Sequence, residues 1–218
     1  MTPISAIIFD LDGLLVDSEP VQFETSRILF RRYGRQFTLT HLKKFLGVRV
    51  VEELSILKHQ WQLKPTVGEL LAERKEILRR LTREKMQLFP GVKELLTLIR
   101  RFHIPIGLGT SAEKWYVDEI MSKFALRPYF KTIISSADVQ NGKPHPEVYL
   151  KVAAQLGISP AHCLVLEDAV TGVAAAHAAG MMCFAVPSVY TKHLDYSQAD
   201  KIFTSLNKVR QHLTKTII

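Results

Sequence analysis

A chain of 218 residues with 47% hydrophobic side chains can bury one large domain, or a core with a smaller insert, which excludes a disordered polymer. No apolar run approaches the roughly 20 residues of a membrane span, and the opening MTPISAIIFDLDG lacks the basic start of a signal peptide; the expectation is a cytoplasmic protein with no membrane partner. The formal charge of +8 is concentrated in residues 18–85, which carry 15 Lys and Arg against 8 Asp and Glu. Spread among helical residues with no aromatic interleaving, it reads as a solvated face rather than a nucleic-acid site, with attraction of a small anion second.

Residues 4–9 form a short apolar run that reads as a strand and ends in Asp10-Leu11-Asp12-Gly13. From about residue 19 to 88 the spacing becomes helical, through Phe23, Ile28, Leu29 and Phe30, then Leu54 and Leu57, then Leu70, Leu71, Ile77, Leu78 and Leu81. Gly34, Gly47 and the stretch from Pro65 to Gly68 punctuate it into four helices. After Phe89-Pro90-Gly91, helices are expected at 92–101, 113–123, 146–156, 170–179 and 206–213. Strands are expected at 104–109, 133–134, 163–166 and 182–186. Cys163 and Cys183 fall inside two of these apolar strands and read as buried, reduced thiols. Strands alternating with helices imply a parallel sheet covered on both faces. The fold class is therefore α/β: a three-layer sandwich core over residues 1–15 and 88–218, with an all-helical insert over 16–87.

In open parallel sheets ligands bind beyond the carboxyl ends of the strands. Asp10 and Asp12 follow the first strand, Thr110-Ser111 the second, and Glu167-Asp168 the strand at 163–166; Gly142-Lys143-Pro144 lies between the last two. The topology would bring these four polar clusters to one edge. Two carboxylates about 4 Å apart repel by roughly 4 kcal/mol at an effective dielectric of 20, so Asp10, Asp12, Glu167 and Asp168 together call for a cation. Oxygen donors without histidine or cysteine select a hard ion, and Mg²⁺ is the usual one beside phosphate. Lys143, the Thr110 hydroxyl and the amides of the Asp-Gly turn could then hold phosphate oxygens.

The run Asp10-Leu11-Asp12-Gly13-Leu14-Leu15-Val16-Asp17-Ser18-Glu19-Pro20 closely resembles the first motif of haloacid-dehalogenase-superfamily phosphotransferases. Thr110-Ser111 is similar to the second motif, Lys143-Pro144 to the third and Glu167-Asp168 to the fourth, and the resemblance spans essentially the whole chain in order. It implies a Rossmann-like core with the helical insert acting as a cap. It implies further that Asp10 attacks phosphorus to form an aspartyl-phosphate, and that Asp12 is the general acid and base. By the same resemblance Mg²⁺ is held by Asp10, the Asp12 backbone carbonyl and Asp168, with Glu167 beside or on the metal; Thr110 and Lys143 hold the phosphoryl group, and Lys143–Pro144 is cis. Ser111 is assigned either to substrate or to capping the next helix, Asp17 to a hinge or turn, and His145 to packing.

An acid two residues after the nucleophile sets the chain apart from dehalogenases and phosphonatases of the superfamily. The rival is a sugar phosphomutase resembling β-phosphoglucomutase. Gln22 stands where that enzyme keeps a histidine, Ala112-Glu113 where it keeps a Ser-Lys pair, and Arg49 of Gly47-Val48-Arg49 lies one residue early. These departures favour a phosphatase acting on a small phosphorylated metabolite; the resemblance implies a phosphosugar as substrate and a monomer as the default for this branch. Gln22 and Arg49 are the expected substrate-binding residues of the insert, and Lys43 and Lys75 read as solvated charges. A binding protein without catalysis is the third reading, and the presence of every motif acid counts against it.

Overall fold

A computed structural model describes residues 3–45 and 48–217. Gly47, read above as a turn, lies outside the described residues, as does the side chain of Lys43. The chain divides into two compact units, Met1–Asp17 with Gln87–Ile218, and Ser18–Met86.

The first unit is built on six strands: β1 (Ala6–Phe9), β2 (Ile106–Gly109), β3 (Thr132–Ile134), β4 (Cys163–Glu167), β5 (Met182–Ala185) and β6 (Lys201–Ile202). They form one parallel sheet in the order β3-β2-β1-β4-β5-β6. Every residue of β1, β2 and β4 is buried, as continuous apolar runs such as Ala-Ile-Ile-Phe must be in a sheet covered on both faces. In β1, Phe9 lies opposite Leu108 of β2 and Leu166 of β4. From β1 the strand order runs one way through β2 to β3, and the other way from β4 to β6. The reversal between β1 and β4 is the crevice in which such sheets bind ligands.

The second unit contains α1 (Glu19–Arg32), α2 (Leu39–Phe45), α3 (Val50–Trp61) and α4 (Val67–Lys85), and no strand among its described residues. Leu29, Phe30, Leu54, Leu57, Leu70, Ile77, Leu78 and Leu81 fill its interior, the helical spacing placing them on inward faces. Phe30 stacks on Phe37 (centroids 5.7 Å) and meets Trp61 edge-on (4.9 Å). The start of α4 is set by a capping box in which Thr66 and Glu69 satisfy each other's backbone N–H groups.

In the first unit the sheet is flanked by α5 (Val92–Arg101), α6 (Lys114–Lys123), α7 (Glu147–Leu156), α8 (Val170–Ala178) and α9 (Leu206–Ile217). Val16 bridges antiparallel to Leu88, Asp17 N–H donates to Gln87 O (3.0 Å) and Phe89 N–H to Leu15 O (3.0 Å). These bonds tie Val16, Asp17 and Gln87 to the first unit. Strand β6 escapes the sequence because two residues, one of them the exposed edge residue Ile202, carry no period. Cys163 and Cys183 are buried free thiols. Among the described residues no helix is long and apolar enough to cross a membrane.

Candidate active site

Strand β1 stays apolar to its last residue, and Asp10 follows at once with its N–H donating to Leu166 O (3.1 Å). Asp10 is thereby set against the end of β4, where Glu167 closes the strand and Asp168 comes next. Lys143 reaches this point from the loop before α7. Its Nζ lies 2.5 Å from Asp10 Oδ1, 2.7 Å from Glu167 Oε1 and 3.1 Å from the Gly109 carbonyl. The Lys143 side chain is only 6% exposed, and its ammonium sits 4.6 Å from the centre of the Tyr149 ring. The Lys143–Pro144 bond is cis.

Glu167 is fully engaged. Its Oε1 accepts from Lys143 and from the Tyr149 hydroxyl (2.6 Å), and its Oε2 accepts from the N–H groups of Asp168 (2.8 Å) and Ala169 (2.9 Å). Two glycines make room for these acids. A Cβ on Gly13, which has φ of 76°, would lie 1.9 Å from Asp168 Oδ2, and one on Gly172 would lie 1.6 Å from Glu167 Oε1. The main chain of Asp168 is held from the other side, its carbonyl accepting from the hydroxyls of Tyr196 and Thr191.

Asp10, Glu167 and Asp168 each offer an oxygen within 4.8 Å of the others, and all three are buried. Burial lifts the Asp10 carboxyl to about 7; Lys143 pulls it down, while Glu167 and Asp12 add to the rise. Asp168 is pushed well above the usual carboxylate range by burial first, then by Glu167 and Asp10. For Lys143 burial alone would disfavour the ammonium, but Asp10 and Glu167 outweigh it and raise the pKa. One lysine among three buried acids leaves negative charge uncompensated. A hard divalent cation with an all-oxygen donor set fits that deficit.

The structure thus brings together Asp10, Lys143, Glu167 and Asp168. Thr110 is buried at the end of β2, its N–H donating to Ile134 O (3.0 Å) and its Oγ1 accepting from Ala112 N–H (3.1 Å). The Asp12 carboxylate stands outside the three-acid group and accepts from the Tyr116 hydroxyl (2.8 Å). Ser111 is exposed and does not cap α6, which begins after Glu113. His145 is exposed as well, its Nδ1 accepting from Glu147 N–H (3.3 Å); the expectation of a packing residue fails because α7 turns Val148 and Tyr149 inward instead.

Gln22 and Arg49 belong to the helical unit. Arg49 is exposed and ion-pairs with Glu52. Gln22 Oε1 accepts from Arg74 Nη2 (2.5 Å), and Arg74 and Glu53 are both buried there. Burial raises the Glu53 carboxyl, against the opposing pull of Arg74 and a hydrogen bond from Ser26. Sequence reading passed over Tyr116, Tyr149, Arg74 and Glu53. For the last two the signal was available, since both sit at helical spacing within an apolar stripe.

A family model described as haloacid dehalogenase-like hydrolase matches residues 7–186, and the chain belongs to that family. It is 34% identical over 178 residues to the phosphorylated carbohydrates phosphatase of Thermotoga maritima, covering 82% of each chain. It is 33% identical over 188 residues to hexitol phosphatase B of Escherichia coli K12, covering 85% of this chain and 84% of that one. Among solved structures, a Thermotoga maritima protein described as a candidate β-phosphoglucomutase superposes with a TM-score of 0.83. It is 29% identical, and the match covers 97% of this chain and 99% of that one. The chain is accordingly a hydrolase of a family whose curated relatives include phosphatases of phosphorylated sugars.

Proposed function

We propose that this protein is a Mg²⁺-dependent, monomeric cytoplasmic phosphatase acting on a phosphorylated sugar through an aspartyl-phosphate on Asp10. The observation that carries the reading is the Asp10–Lys143–Glu167 constellation beside Asp168 at the β1/β4 crevice. Lys143 favours the ionised form of Asp10 that an attack on phosphorus needs. An Asp10 oxygen forms the bond to phosphorus as the bond to the sugar oxygen breaks, and Asp12 gives that oxygen its proton. Asp12 then takes a proton from the water that cleaves the acyl phosphate, freeing inorganic phosphate and restoring Asp10. Thr110 and Lys143 hold phosphoryl oxygens through the reaction. Asp10, Asp168 and the Asp12 carbonyl would hold Mg²⁺, which when bound neutralises charge on Asp10 and the phosphoryl group. Both oxygens of Glu167 are already taken by two donors each, which suits it to anchoring Lys143 and not to direct ligation.

Hydrolysis is favoured over mutation by the residues after Thr110. Glu113 accepts from Trp115 Nε1 (2.8 Å), and Lys114 pairs with Asp118 (2.7 Å). An acid at 113 would repel the distal phosphate of a sugar bisphosphate. The test is phosphate release from a panel of sugar phosphates with Mg²⁺, beside an Asp10→Asn control. Metal-dependent release that disappears in the variant is expected. Isomerisation of β-glucose 1-phosphate with a bisphosphate activator, without net release, would instead make the protein a mutase.

A further inference from the structure

Asp12 presents a problem of placement. It follows Asp10 by two residues, yet among the described residues the acids whose oxygens gather within 4.8 Å of one another are Asp10, Glu167 and Asp168 without it, and its own carboxylate turns to Tyr116. A carboxylate beside a hard cation tends to become a ligand. As a ligand it would lose the freedom to exchange protons. Something has to keep it off the metal once a cation relieves the mutual repulsion of the acids.

Tyr116 is placed to do this. It sits in the first turn of α6, 3% exposed, with its ring edge-on to Trp115 at 5.7 Å. Its hydroxyl donates to Asp12 Oδ1 at 2.8 Å across 104 positions of sequence. A buried phenol needs an acceptor, and a carboxylate makes the stronger, charge-assisted bond. The turn that carries Asp12 is fixed by main-chain bonds from Gly13 to Val16 O (2.9 Å) and from Leu15 and Val16 to Leu11 O.

We propose that Tyr116 is a positioning residue that holds the Asp12 carboxylate away from the cation-binding acids and keeps it available for proton exchange. The proposal rests on the phosphatase reading for its kinetic consequence but not for its effect on metal binding. Tyr116→Phe keeps the ring and removes the hydroxyl. With a sugar phosphate at saturating Mg²⁺, kcat should fall 10- to 100-fold while KM stays within threefold and the melting temperature within about 2 °C. With p-nitrophenyl phosphate, whose leaving group departs without a proton, the pre-steady-state burst should keep its rate. Mg²⁺ titrated calorimetrically into the phosphate-free protein should bind at least threefold more tightly to the variant, because the Asp12 carboxylate, and not its carbonyl alone, is then free to join the ligands. An unchanged kcat, a burst with p-nitrophenyl phosphate slowed as much as sugar-phosphate turnover, or weaker Mg²⁺ binding overturns the proposal. If the wild-type protein releases no phosphate from any ester, the phosphatase reading fails by itself. The calorimetric comparison then decides the role of Tyr116: tighter binding supports it, and equal or weaker binding overturns it.

Discussion

Gly172 lies in the first turn of α8 and its backbone is helical, so nothing local requires glycine. By propensity alone, Gly172→Ala should stabilise the protein by about 1 kcal/mol. The surroundings reverse the sign. The added Cβ would fall 1.6 Å from Glu167 Oε1 and 2.0 Å from its carboxyl carbon, far inside contact distance, and the Glu167 carboxylate is 1% exposed and held by four donors. Forcing a methyl into a filled core costs about 1–3 kcal/mol. Turning Glu167 aside also forfeits charge-assisted bonds worth about 1.5–3 kcal/mol each. Allowing for partial relaxation, the variant should be less stable by about 3 kcal/mol, with phosphatase activity falling as Lys143 loses its anchor. Urea unfolding followed by circular dichroism and by tryptophan fluorescence measures this. The sharper assay is a cycle with Glu167→Ala: once the carboxylate is gone, Gly172→Ala should become neutral or stabilising by up to about 1 kcal/mol. A single variant as stable as wild type, or a cycle with no coupling, would refute the claim that Gly172 exists to seat Glu167.

Two other outcomes follow from the same physics. Because the folded metal-free protein holds Asp10 at about 7, well above an unfolded carboxyl, the native state binds more protons between about pH 4 and 7, and stability falls as pH rises through that window. Asp10 alone accounts for about 4 kcal/mol at most. A bound cation offsets the loss, so Mg²⁺ should raise the melting temperature more at pH 8 than at pH 5; an equal rise at both would count against metal binding at these acids. In the helical unit, Thr66→Ala removes the side chain that accepts from Glu69 N–H (3.2 Å) and should cost about 1 kcal/mol, read as a lower urea midpoint.

The acids of the site were legible because each stands at or just beyond the end of a short apolar strand, and because parallel strands deliver their ends to one edge. Local pattern could not show which atoms meet there. The Tyr116–Asp12 bond spans 104 positions, and nothing in Lys-Trp-Tyr marks the tyrosine as facing the site. The roles of Gly13 and Gly172 are likewise invisible in sequence, since a glycine that makes room for a distant carboxylate looks like any loop or helix glycine. His145 misled because proximity to a motif lysine says nothing of orientation. In the helical unit the spacing of apolar residues identified the interior but gave no sign, by itself, that charged side chains lie within it. It therefore passed over Arg74, buried with Glu53 and bonded to Gln22.

The hydrogen bond between Asp17 and Gln87 carries an evolutionary consequence. The chain leaves the sheet unit and returns to it at two residues 3.0 Å apart, so the whole of Ser18–Met86 is, for the sheet, a single closed loop. Loop-closure entropy grows only logarithmically, by about 0.6 kcal/mol for each doubling of length. Lengthening or shortening that segment therefore adds little closure entropy to the folding of the sheet unit. Insertion and deletion within Ser18–Met86 is thus a route of variation that closure entropy scarcely opposes.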